Sequence, residues 1–156
     1  PVAVAKALTK YGLPAEMLTL EVTESGAFGD ATLAAEVCRA LREMGVGLSV
    51  DDFGTGYSSL MHLKHLPFTE LKVDRAFTAG VIHNEHDAAI VRSIIDLGHE
   101  LGRTIVAEGV ESQEVLDRLR AKGCDLVQGF HISRPLPEPA LREWLRAYSP
   151  GIKTQP

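Results

Sequence analysis

Five short runs, Leu18–Thr23, Val46–Asp52, Glu70–Asp74, Thr104–Glu108 and Asp125–Gln128, read as strands, and a helical pattern separates each from the next. No other feature restricts the fold as much. Strands that alternate with helices pair in parallel, and right-handed crossovers leave few topologies for such a chain. In the first run Leu18, Leu20 and Val22 share one face and Thr19, Glu21 and Thr23 the other. In the second, Val46, Leu48 and Val50 face opposite Gly47, Ser49 and Asp51.

The intervening helices carry recognisable ends. Val4, Leu8 and Tyr11 form an amphipathic segment closed by Gly12, ahead of Pro14. Asp30 is the expected N-cap of a helix presenting Leu33, Val37, Leu41 and Met44 and ending at Gly45. A short helix is expected from about Tyr57 to before Pro67. Asp87 is expected to cap a helix with Ile90, Val91, Ile94, Ile95 and Leu101 on its apolar side. Ser112 caps another through Val115, Leu116 and Leu119 to Gly123. Pro135, Pro137 and Pro139 precede a closing helix with Leu141, Trp144, Leu145 and Tyr148. Residues 1–148 are read as one domain and 149–156 as a tail.

Polar residues choose among the parallel architectures. Glu21, Asp51, Lys72, Glu108 and Gln128 stand at or near the C-terminal ends of different strands, where (β/α)8 barrels gather their catalytic groups. A closed barrel has eight strands and about 250 residues. The fold expected here is therefore α/β, a partial barrel of about five parallel strands whose N-terminal strands are missing.

The adjacent carboxylates Asp51 and Asp52 follow an apolar strand and precede Gly54 and Gly56. Two acids in that position repel and call for positive charge. Oxygen donors from several strands suit Mg²⁺ or Mn²⁺, and a carboxylate shared by two ions is the arrangement used for attack on phosphate esters. Lys72, close to such ions, would serve as a base or as a positioner of water, although pairing with Glu70 or Asp74 explains it equally well. Glu108 and Glu111 flank a glycine turn, and either suits a metal or a loop brace; Gln128 suits water orientation or a turn. His83, His86 and Asp87 have metal-like spacing but read as a solvated loop.

The formal charge of -5 and pI near 5.7 argue against holding DNA by phosphate attraction. Cys38 and Cys124 are read as buried small residues, which fits a reducing, cytoplasmic setting. No stretch is apolar enough to span a membrane.

Leu20-Glu21-Val22-Thr23-Glu24-Ser25, the run from Asp51 to Leu60, Leu71-Lys72-Val73-Asp74, Ala107 to Glu111 and Gln128-Gly129-Phe130 together resemble the EAL domain family. That resemblance, from about Val2 to Leu145, implies a cyclic di-GMP phosphodiesterase that yields linear pGpG with Mg²⁺ or Mn²⁺. It implies metal ligation by Glu21 and Asp51, with Asp51 shared and Asp52 serving the second ion. Lys72 and Glu108 would hold or activate the hydrolytic water, Glu108 also lying against the metals, and Gln128 would orient it. Glu24 would anchor the loop from Asp52 to Ser59, and Glu111 would brace the turn after Glu108. Expected partners are cyclic di-GMP and a homodimer partner or an upstream sensory or GGDEF-type domain. The family's Glu-Ala-Leu strand and the next strand, with its ligating asparagine, have no counterpart here. The alternative is accordingly an inactive module that binds nucleotide or a partner protein.

Overall fold

A computed structural model describes residues 1–23, 31–54 and 66–148, the side chains of 31 and 32 excepted. The expected Asp30 cap, the helix from Tyr57, Glu24, and the tail from 149 lie outside the described residues. Within them run α1 (Val2–Tyr11), β1 (Thr19–Thr23), α2 (Ala31–Glu43), β2 (Gly47–Phe53), β3 (Glu70–Val73) and α3 (Arg75–Thr78). There follow α4 (Glu85–Glu100), β4 (Thr104–Ala107), α5 (Gln113–Ala121), β5 (Leu126–Val127) and α6 (Glu138–Ala147).

The five strands form one parallel sheet in chain order, β1 to β5, with β1 and β5 as its edges among the described residues. The expected partial-barrel α/β fold is what the chain adopts. Register explains the layering. Val22 pairs with Val50, Val50 with Leu71 and Leu71 with Ile105, so one face is a continuous apolar row. Val91, Ile94 and Ile95 of α4 are buried with that row. Gly98 lets the helix approach, since a Cβ there would lie 2.0 Å from Ile105 Cδ1. On the other face Lys72 pairs with Val106, and Ser49, between Glu21 and Glu70 in register, is buried.

Local expectations fail where a tertiary partner decides. α4 starts at Glu85, capped by Asn84, whose side chain accepts from His86 N at 2.9 Å and more weakly from Asp87 N at 3.4 Å. Asp87 is thus inside the first turn, and its carboxylate sits over Gly80. Ile90 is 37% exposed and lines a cleft with Phe53 and Ile94. In α2 the buried residues are Cys38 and Leu41, while Leu33 and Val37 are exposed. Leu141, Leu145 and Tyr148 of α6 are also exposed, although Tyr148 stacks on Trp144 at 4.3 Å. No described helix is long and apolar enough to cross a membrane.

Candidate metal and catalytic centre

The site lies at the C-terminal ends of the strands and depends on a break in β2. Val50 is opposite Leu71, but Phe53 is opposite Val73, so three steps along β2 match two along β3. This is a β-bulge, which places two residues against one and re-aims their side chains. Asp51 and Asp52 are the inserted pair. Asp52 takes φ +57°, the left-handed region, uncommon for a residue other than glycine. Its N–H donates to Asp51 Oδ1 at 3.1 Å. Strict alternation would have sent Asp52 to the helical face with Val50. The bulge instead turns it to the Asp51 side and lets Phe53 bury itself in the core.

Oxygen atoms of Asp51, Asp52 and Glu108 all come within 4.8 Å of one another. Glu108 is positioned by its own backbone, whose N–H continues the ladder to Val73 O at 3.1 Å. Lys72 is buried beside this group and makes ion pairs with Glu108 at 2.5 Å, Glu21 at 2.8 Å and Asp51 at 3.1 Å. It pairs with neither Glu70 nor Asp74, the local alternatives. Burial alone would lower the Lys72 ammonium, but the hydrogen bonds to Glu108, Glu21 and Asp51 outweigh it and raise it above the ordinary lysine value. The charge of Asp51, then burial and a hydrogen bond shared with Asp74, hold the Asp52 carboxyl above its usual range.

Glu21 reaches the centre through Lys72; its side chain is 53% exposed, and it is not one of the three mutually close acids. Gln128 lies beyond the end of β5, where its N–H bonds Ala107 O at 2.8 Å and its carbonyl accepts from Val110 N at 3.1 Å. Glu111 is exposed and lines a cleft of about 180 Å³ with Glu108 and Gln128. The turn between them is tied by backbone, including His131 N to Val110 O at 2.9 Å. Gly129 passes so close to Val110 that an added Cβ would lie 2.1 Å from the Val110 carbonyl oxygen. His83 and His86 are exposed, and neither belongs to the cation-sized acidic group. Sequence reasoning passed over Arg75, which lines the same cleft, and the bulge that brings Asp52 inward. The bulge did leave a signal: the apolar spacing of two between Leu48 and Val50 becomes three between Val50 and Phe53.

An acidic rim with one buried ammonium, at the mouth of a parallel α/β sheet, suits cation-assisted or acid–base chemistry. The family model described as the EAL domain matches residues 2–135. The chain belongs to the EAL domain family. A bifunctional diguanylate cyclase/cyclic di-GMP phosphodiesterase, MucR of Pseudomonas aeruginosa, is 49% identical over 135 residues, covering 86% of this chain and 20% of MucR. The chain therefore spans about a fifth of that relative's length. The solved PaMucR phosphodiesterase in its c-di-GMP complex superposes with a TM-score of 0.84 and 48% identity, over 88% of this chain and 56% of that one. The manganese/cy-diGMP complex of Klebsiella pneumoniae BlrP1 gives a TM-score of 0.78 and 37% identity, over 83% of this chain and 33% of its own.

The EAL-domain residues present here fit a divalent cation. Asp51, Asp52 and Glu108 supply hard oxygen donors close enough to share an ion, and the charge of Asp51 is the first cause of the upward shift of Asp52.

Proposed function

We propose that the protein carrying this chain is a divalent-cation-dependent phosphodiesterase that opens cyclic di-GMP to linear pGpG in bacterial second-messenger signalling. The observation that carries the reading is the convergence of Asp51, Asp52 and Glu108 beside buried Lys72, in a member of the EAL domain family. Asp51, Asp52, Glu108 and Glu21 would hold Mg²⁺ or Mn²⁺. When bound, the cation supplies Lewis-acid polarisation of the phosphoryl oxygen and a lowered pKa of water.

The protein's own groups divide the remaining work. Lys72, kept protonated by three carboxylates, orients the attacking water through its lone pair once one of those carboxylates gives up its N–H. Glu108 accepts a proton from that water at its carboxylate, and Gln128 fixes the water's approach from the neighbouring loop. Attack at phosphorus breaks the P–O3′ bond. The 3′-oxygen leaves and takes a proton, so that the product is linear with a 5′-phosphate. Partners in this reading are cyclic di-GMP, a second copy of the protein, and an upstream sensory or GGDEF-type domain, in the cytoplasm.

The test is hydrolysis of cyclic di-GMP by the intact protein with Mn²⁺. Asp51→Asn should lower turnover by at least about 100-fold, because it weakens a ligand and displaces the reacting geometry. Unchanged turnover in Asp51→Asn would refute the metal assignment. Binding of cyclic di-GMP by the wild type without conversion would support an inactive binding module instead.

A further inference from the structure

Resting on the proposed function, one residue of the cleft has a chemistry that the hydrolytic centre does not use. Arg75 opens α3, whose start is fixed by Asp74 accepting Ala76 N–H at 2.7 Å. The loop after Glu108 passes directly over the base of its side chain: Gly109 has φ +67°, and a Cβ there would lie 2.5 Å from Arg75 Cβ. The stem therefore leaves the backbone at a fixed place and lines the cleft of about 180 Å³ shared with Glu108, Glu111, Gln128 and Phe130.

Within that cleft the guanidinium is uncommitted. It forms no ion pair or hydrogen bond with any described residue, Glu111 included. Other cations near the site are occupied: Lys72 by three carboxylates, and Arg134 by the ring of Phe130 at 4.5 Å. An arginine held at its stem and free at its fork suits bidentate binding of phosphate oxygens. A cyclic dinucleotide carries two phosphodiesters and presents only one to the acidic centre at a time.

We infer that Arg75 binds the phosphodiester that is not being cleaved, and so is a substrate-binding residue that selects dinucleotides over simple phosphodiesters. Its contribution is made equally before and during bond breaking, so it lowers KM without raising kcat.

The experiment is steady-state kinetics of the intact protein with two substrates, cyclic di-GMP and bis(4-nitrophenyl) phosphate, which has a single phosphodiester. Arg75→Gln should raise KM for cyclic di-GMP about tenfold, with kcat held within about twofold, as loss of one charge-assisted hydrogen-bonding group predicts. Turnover of bis(4-nitrophenyl) phosphate should not change. Arg75→Lys, which keeps the charge and the stem but not the fork, should recover part of the loss. Arg134→Gln removes the same charge beside Phe130 and should shift KM by less than about twofold, the size expected of bulk electrostatics alone. An unaltered KM in Arg75→Gln, an equal rise in Arg134→Gln, or a parallel loss with both substrates would overturn the assignment. A wild type that neither binds nor hydrolyses cyclic di-GMP would instead overturn the proposed function.

Discussion

Replacing Lys72 by Met removes the one cation that the described acidic centre contains while keeping most of the side-chain volume. In the absence of divalent ions three carboxylates contact that ammonium, at 2.5, 2.8 and 3.1 Å. At an effective dielectric of about 20, a single contact at such range is worth roughly 5–7 kcal/mol before costs. Desolvation of the buried lysine offsets much of this, and Glu21, more than half exposed, contributes little. What remains on removal is the stranding of Asp51 and Glu108, about a fifth exposed, beside Asp52. We expect a loss of about 3 kcal/mol, the low end for breaking a buried pair. For a domain of this size that corresponds to roughly 6–12 °C in Tm, read by thermal unfolding in EDTA at pH 7. The raised Lys72 pKa sets the pH range. Its stabilisation is fully present below the ordinary lysine value of 10.5 and fades only as pH rises through the higher folded-state value. The gap between wild type and variant should therefore stay constant from pH 7 to 10, and Mn²⁺ should narrow it by supplying the missing charge. A Tm for Lys72→Met equal to or above the wild type in EDTA would refute the account.

Asp52→Asn should raise Tm in EDTA at pH 7. With its folded pKa above the usual 3.8, ionising Asp52 costs stability as pH rises through that range, so the gain should vanish near pH 3. Asn also tolerates the left-handed backbone at position 52. The same variant should lose most of the Mn²⁺-induced rise in Tm; an undiminished rise would count against Asp52 as a ligand. Gly129→Ala should destabilise by about 1–3 kcal/mol, because its Cβ would lie 2.1 Å from Val110 O and 2.3 Å from Val110 N, backbone atoms that cannot move aside. Gly102→Ala, at positive φ with open space around it, isolates backbone strain from crowding and should cost about 1 kcal/mol. A loss below about 0.5 kcal/mol for Gly129→Ala in urea unfolding would show that packing against Val110 is unimportant.

Much of the fold could be read in the sequence because each strand and helix carries its own period and its own end signal. Helix faces were less legible. The expected face of α2 is Leu33, Val37, Leu41 and Met44; Leu41 is buried as expected, but Leu33 and Val37 are exposed and Cys38 is buried in their stead. Asn84 and Asp87 are both good caps, and the choice followed from where the chain reaches α4 with extended backbone, φ -125° and ψ 111° at Asn84. For the site, sequence placed Glu21, Asp51, Lys72, Glu108 and Gln128 near strand ends but could not choose the partners of Lys72. That choice needs the inter-strand register, since Lys72 meets Asp51 on one neighbouring strand and the end of β4 on the other.

The most consequential feature was written in the sequence as a change of apolar spacing. Period-two alternation from Val46 assigns Leu48, Val50 and Asp52 to the helical face, which would put a carboxylate in the apolar core that Phe53 now fills. Burying an unpaired charge there is far costlier than one local distortion of the backbone. The next apolar residue after Val50 is Phe53, three positions on, and that change of spacing is what a single inserted residue produces. Phe53 then fills the core position, Asp52 takes φ +57°, and two consecutive carboxylates face the same side. The core's demand for an apolar residue at this level and the site's demand for paired acids are thus met by one bulge. The burial of Phe53 holds the Asp51–Asp52 pair in place together with the Asp52 N–H bond to Asp51 and the Lys72 ion pair.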